Sequence, residues 1–168
     1  MKTLASVVSL LIMSASFLSF TPNSENYFVI EGMQVEWEYE GDEITFKLHS
    51  PYQGWLALGF NQQNAILNTN LVKGTVTADG PALEEYYVLG YGDHQPILQL
   101  GGTPAVQDYI GLETTDGTSF QFTMKTKTSD GFHYDLSEGK RVWLICSYSM
   151  EDDFGHHSIM QRHLEITL

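Results

Sequence analysis

Gln34-Val35-Glu36-Trp37-Glu38-Tyr39-Glu40-Gly41-Asp42-Glu43-Ile44-Thr45-Phe46-Lys47-Leu48-His49 is the stretch that decides the fold class. Val35, Trp37 and Tyr39 alternate with amide and carboxylate side chains. After the Gly41-Asp42 turn, Ile44, Phe46 and Leu48 alternate with Thr45, Lys47 and His49. Successive side chains of a strand point to opposite faces, so this period of two predicts a hairpin with one buried face. Outward from it, strand-like runs recur at 55–60, 71–78, 85–91, 109–114, 119–127, 141–149 and 159–168. Gly, Pro, Asn and Asp punctuate the chain between them. Phe120, Phe122 and Met124 repeat the alternation after a turn at Asp116-Gly117. No amphipathic helix longer than two turns stands out. The pattern predicts an all-β chain, an antiparallel β-sandwich of about nine or ten strands.

The chain has 168 residues, a length suited to one domain, and its hydrophobic content of 42% is too high for a disordered acidic chain. Eight Lys+Arg against 21 Asp+Glu give a formal charge of −13. A phosphate-binding face needs clustered basic residues, so nucleic acid is excluded as a partner, and an anionic membrane surface is disfavoured for the same reason. Lys2 followed by an apolar run to Phe20, with small residues at Ser14 and Ser16, reads as an export signal over residues 1–20. Cleavage is expected between about 16 and 22. The run is weakly apolar and lacks a basic flank after it, so no stable membrane anchor is expected after cleavage. The expected product is one secreted or periplasmic domain, 27–168. Cys146, the single cysteine, lies in an apolar run and is expected to be a buried small hydrophobe, without an internal disulfide.

Motifs of common enzymes are missing: no Gly-rich phosphate loop, no Gly-x-Ser-x-Gly, no His-Glu-x-x-His. The acidic pairs Glu84-Glu85 and Asp152-Asp153 read as solvated rim. Three histidines, His156, His157 and His163, fall near the C-terminus behind Glu151-Asp152-Asp153. Imidazole is a good ligand for haem iron, zinc or copper, and a polar loop before an edge strand explains the cluster equally well. Leu164, Ile166 and Leu168 mark the buried face of the last strand. His163 falls on the other face and is expected to be exposed, with His156 and His157 in a loop able to close over a pocket.

Gly54-Trp55-Leu56-Ala57-Leu58-Gly59-Phe60-Asn61 resembles the Gly-Trp-x-x-x-Gly-Phe strand of the DOMON domain family. The similarity continues through Glu85-Tyr86-Tyr87-Val88-Leu89-Gly90, Gln107-Asp108-Tyr109, the 142–148 run, and Phe154-Gly155-His156-His157-Ser158 with Arg162 after it. It covers nearly all of the chain after the signal. The resemblance implies an immunoglobulin-like antiparallel β-sandwich of about nine to eleven strands, extracytoplasmic, binding haem or sugars.

In haem-binding members, a Met six residues after the Gly-Phe phenylalanine and a late His hold the iron. Carried over, the His position falls on His157, with His156 beside it, and the Met position falls on Ile66, whose aliphatic side chain cannot ligate. A Met/His pair raises reduction potential, so its loss removes the strongest argument for an electron carrier. The resemblance therefore implies a binding domain and not an enzyme. Its leading cofactor is haem b through His157 as the metal ligand, in electron transfer or redox sensing with a separate redox partner protein. The alternative is a non-haem module for carbohydrate or another small ligand. Trp55, Phe60, Tyr86, Tyr87, Tyr91 and Trp143 are candidates to flank a porphyrin or a sugar ring, though alternating aromatics in a sandwich are more often core. Tyr86 and Tyr87 point to opposite faces, so at most one lines a given pocket. Trp143 is expected in the core.

Overall fold

A computed structural model describes residues 19–21 and 25–168. Most of the expected export signal, 1–18, lies outside the described residues. Eleven strands run in chain order: β1 (Tyr27–Ile30), β2 (Met33–Glu40), β3 (Glu43–Ser50), β4 (Leu56–Asn61), β5 (Asn70–Thr77), β6 (Gly80–Gly90), β7 (Asp93–Pro96), β8 (Val106–Thr114), β9 (Gly117–Lys125), β10 (Arg141–Tyr148) and β11 (Met160–Thr167). They form two antiparallel sheets. One has five strands in the order β1-β2-β3-β9-β8, and the other has six in the order β11-β10-β4-β5-β6-β7. The hairpin read from the alternation is the β2–β3 pair, with Trp37 opposite Phe46 and Tyr39 opposite Ile44.

The faces that meet between the sheets carry the core. Phe46, Phe60, Phe120 and Phe122 are among its fully buried side chains, and the Phe46 ring centre lies 5.2 Å from that of Phe60 and 5.5 Å from that of Phe122. Burying each such side chain contributes roughly 1.5–3 kcal/mol. Cys146 belongs to this core as a free thiol, and burial pushes its pKa up to about 12.

Five placements differ from the sequence reading. The short strands β1 and β7 were not legible, the latter because Asp93-His94-Gln95-Pro96 has no apolar alternation. Glu36 is buried although its parity puts it on the outer face of its sheet. Residues 19–21 cross that face, where the Thr21 N–H donates to Glu36 Oε2 at 2.8 Å and Phe20 meets Tyr27 and His49 edge-on. Trp143 is half-buried and not in the core, because it lies three residues from Cys146 and so on the opposite face of β10. His163 is half-buried and not exposed, its Nδ1 2.8 Å from Asn64 Oδ1.

The two glycines of the Gly54–Phe60 run have separate causes. Gly54 has φ of +121°, and a Cβ there would lie 2.6 Å from the Ser149 carbonyl oxygen. Only glycine lets the start of β4 approach the loop after β10 this closely. Gly59 is extended, and a Cβ there would lie 2.6 Å from Thr69 Cγ2 and 3.1 Å from Ile145 Cβ. The chain's own side chains therefore already fill that part of the outer face.

Candidate functional site

The outer face of the six-stranded sheet carries a second apolar cluster, separate from the core: Trp55, Ala57, Leu71, Tyr86 and Val88, with Ile66 and Phe154 packed against it. Two loops wall it. The loop between β4 and β5 is braced by Asn61, whose amide nitrogen donates to the carbonyls of Ala65 (2.8 Å) and Leu67 (2.9 Å) and lies 3.1 Å from Thr69 Oγ1. This holds Ile66 against the cluster. The loop between β10 and β11 is pinned by the Trp55 N–H donating to the Glu151 carbonyl at 3.0 Å and the Ser149 N–H donating to the Trp55 carbonyl at 2.9 Å. Between the walls lies a cleft of about 190 Å³, lined by Trp55, Ile66, Leu71, Lys73, His94, Ser147, His156, His157 and Gln161, among others.

Lys73 dominates this cleft. It stands mid-strand in β5, cross-strand from Ala57 and Glu84, and is 3% exposed. Its Nζ lies 3.9 Å from the Trp55 ring centre, 5.3 Å from that of Phe154 and 6.0 Å from that of Tyr86. Such an ammonium over aromatic faces is held by their quadrupoles. Nζ donates to the Phe154 carbonyl at 2.6 Å, and among the described residues no carboxylate lies within ion-pair distance of it. The nearby Glu84 carboxylate accepts instead from the Tyr86 hydroxyl at 2.5 Å. Burial lowers the Lys73 pKa to about 8 despite the opposing field of Asp153. Burial, and then the Lys73 charge, also lower the pKa of His94, whose ring meets Tyr86 at 4.8 Å.

The structure brings four of the residues singled out from sequence to this cleft: Trp55, Ile66, His156 and His157. Tyr86 packs in the apolar cluster beside it, and Phe60, Tyr87 and Tyr91 lie elsewhere. Phe60 is wholly buried between the sheets, and Tyr87 packs edge-on against Phe132 at 5.3 Å on the face opposite Tyr86. Tyr91 is 96% exposed in the turn before β7. His157 is exposed, and its carbonyl accepts from the Ser149 hydroxyl at 3.2 Å. The His156 Nδ1 lies 3.4 Å from Asp153 Oδ2. Among the described residues no three His, Cys, Asp or Glu side chains converge as a metal site. These residues do not fit a haem in this arrangement. Ile66 has no lone pair, an ammonium already covers the Trp55 face, and a space of about 190 Å³ is too small for a tetrapyrrole.

A second cluster escaped the sequence reading. Glu85, whose acidic pair with Glu84 reads as rim in the sequence, is 4% exposed, because β6 turns it towards the other sheet. Its Oε2 lies 2.9 Å from His133 Nε2 and its Oε1 accepts from the Val106 N–H at 2.5 Å, while Asp130 Oδ1 lies 2.6 Å from His133 Nδ1. Burial alone would lower the His133 pKa, but the two carboxylate hydrogen bonds outweigh it and raise the pKa. Parity could have exposed Glu85, since it follows Leu83 and precedes Tyr87 on one face. Lys73 also had a signal: a lysine inside Asn70-Leu71-Val72-Lys73-Gly74, a run too apolar for an exposed strand.

An all-β, two-sheet antiparallel sandwich with a walled cleft on one outer face is the class this geometry defines. The chain belongs to the DOMON domain family, whose model matches residues 30–149. Human DBH-like monooxygenase protein 1 is 25% identical over 119 residues, which are 69% of this chain and 18% of that protein, so the chain spans less than a fifth of this relative. Among solved structures, the cytochrome b domain of pyranose dehydrogenase from Coprinopsis cinerea superposes with a TM-score of 0.63 at 10% identity, over 84% of this chain and 80% of that one. The cytochrome domain of Myriococcum thermophilum cellobiose dehydrogenase superposes with a TM-score of 0.57 at 12% identity, over 89% of this chain and 80% of that one. At identities this low the superpositions show the shared fold alone. Among the described residues, no helix is long and apolar enough to cross a membrane.

Proposed function

We propose that this chain is an exported DOMON binding domain, without catalysis of its own, that takes a small non-haem ligand in the cleft above Trp55. The observation that carries this reading is the Lys73 ammonium 3.9 Å above the Trp55 ring, which fills the space a macrocycle would need and leaves a cleft of about 190 Å³. Trp55, Ile66 and Leu71 supply apolar lining for the ligand's body, and Lys73, His94 and Gln161 supply polar contacts at its edge. A second reading, haem b held through His157 for electron transfer to a separate redox partner protein, draws support from His157 and Ile66 lining one cleft and from the two cytochrome domains among the fold relatives. It requires Lys73 to leave the Trp55 face.

Haemin titration separates the two. On the small-ligand reading, purified protein gives no Soret shift that His157→Ala abolishes, and Ile66→Met creates no low-spin six-coordinate spectrum. A His157-dependent Soret band, sharpened by Ile66→Met, would replace this reading with the haem one.

A further inference from the structure

The polar groups around the cleft are unevenly matched. An ammonium has three N–H donors, and at Lys73 one goes to the Phe154 carbonyl while the Trp55 ring 3.9 Å away offers no lone pair. The Trp55 indole Nε1–H, on a ring that lines the cleft, is sealed from solvent with no acceptor. Buried donors are normally paired, so this wall lacks acceptors. The carboxylates that could supply them are committed elsewhere: Glu84 to the Tyr86 hydroxyl, Asp152 to the Thr75 hydroxyl, and Asp153 to the Gly155 N–H. His94, His156 and His157 line the same space and add potential donors.

We infer that the cleft selects ligands bearing one carboxylate, which Lys73 takes as its counter-ion while the apolar lining of Trp55, Ile66 and Leu71 borders the ligand's body. The inference rests on the small-ligand reading and adds its chemical class. One negative charge suits the site better than two or three. The chain carries −13 overall, and the fields of Asp153 and Glu84 reach Lys73 and His94 in the cleft, so a phosphate dianion meets a repulsion that a single carboxylate largely avoids. The volume of about 190 Å³ limits the body to one ring. A carboxylate accepting from an ammonium in a partly dry cleft forms the shorter, stronger kind of hydrogen bond, which a neutral hydroxyl cannot match.

Matched probes test this on the full chain. D-glucuronate against D-glucose, and benzoate against benzyl alcohol, each compare a carboxylate with a hydroxymethyl group on the same ring. The readout is the Trp55 indole N–H signal in nitrogen-15 correlation spectra, assigned with Trp55→Phe. Each carboxylate is expected to move that signal and to bind roughly tenfold or more tightly than its neutral partner, a preference that weakens with salt. Lys73→Gln should abolish the preference and Lys73→Arg should keep part of it. The wild-type comparison needs neither variant to fold. Equal binding within each pair, or a preference that survives Lys73→Gln, overturns the carboxylate inference and leaves the small-ligand reading standing. If neither the four probes nor cello-oligosaccharides move the indole signal, both fail together.

Discussion

Two buried basic side chains, His133 and Lys73, are treated oppositely. At His133 two carboxylates, Glu85 at 2.9 Å and Asp130 at 2.6 Å, flank the ring, and every polar atom of the imidazole is used. At Lys73 the cation faces rings and one carbonyl, with its nearest acids turned to other partners. The first arrangement ties the segment between β9 and β10 to β6, and through the Val106 N–H to the other sheet. The second leaves a charge under-satisfied beside an opening. Both are small features of one sheet, yet one is built for stability and the other carries a cost that a ligand can relieve.

Substitutions sharpen the contrast, beginning with the largest effect. His133→Ala leaves Glu85 buried beside an empty space and is expected to cost about 3–5 kcal/mol in a urea melt, the scale for removing one partner of a buried ion pair. Little change would mean the cluster is wet and not a clamp. Asn61→Ala removes the amide that holds the loop around Ile66, with an expected loss of about 1–3 kcal/mol and faster amide exchange at Ala65 and Leu67. Lys73→Met should move the other way. It keeps length and packing, deletes an unpaired buried charge, and is expected to gain about 1–2 kcal/mol of stability while removing any carboxylate preference. A Lys73→Met protein that melts lower than wild type would show that the ammonium stabilises the fold.

The pH dependence of stability gives the most discriminating contrast. The folded His133 pKa is raised above 6.5, so its contribution is complete below that value and is lost as pH rises through the folded pKa. Asp130 is lowered below 3.8 despite its burial, because His133 and the Phe132 N–H bond its carboxylate, and its contribution is lost as pH falls through that lowered value. Lys73 has the reverse sign to His133. Its folded pKa is about 8 against 10.5 when free, so the unfolded chain holds more protons across that interval and stability recovers as pH climbs through it. Wild type minus Lys73→Met should isolate this alkaline gain, and wild type minus His133→Ala the loss above 6.5.

The layered fold was legible because it depends on alternation. Val35, Trp37, Ile44, Phe46, Phe120 and Phe122 announce their faces one residue at a time, and each lies in the core. The cleft was half legible. Trp55, Ile66, His156 and His157 came from a resemblance of motifs and converge, whereas Phe60 and Tyr87 have the parity of the opposite face, a distinction the motif alone does not carry. Lys73 and the Glu85–His133–Asp130 cluster were missed for a common reason. Their partners are 81 residues away for Phe154 and 48 for Glu85, and no local pattern reports which carbonyl or carboxylate will arrive there. A charged residue in an apolar run signals burial without naming what satisfies it.

The protonation of Lys73 is the most direct test of the contrast between the two buried cations. Following its Cε and Nζ resonances with pH should give an inflection near 8, rising towards the free value of 10.5 when Trp55 and Phe154 are replaced by alanine and water enters. An inflection at 10.5 in the intact protein, unchanged by those substitutions, would mean that Lys73 is solvated and that the cleft holds no charge in reserve for a ligand.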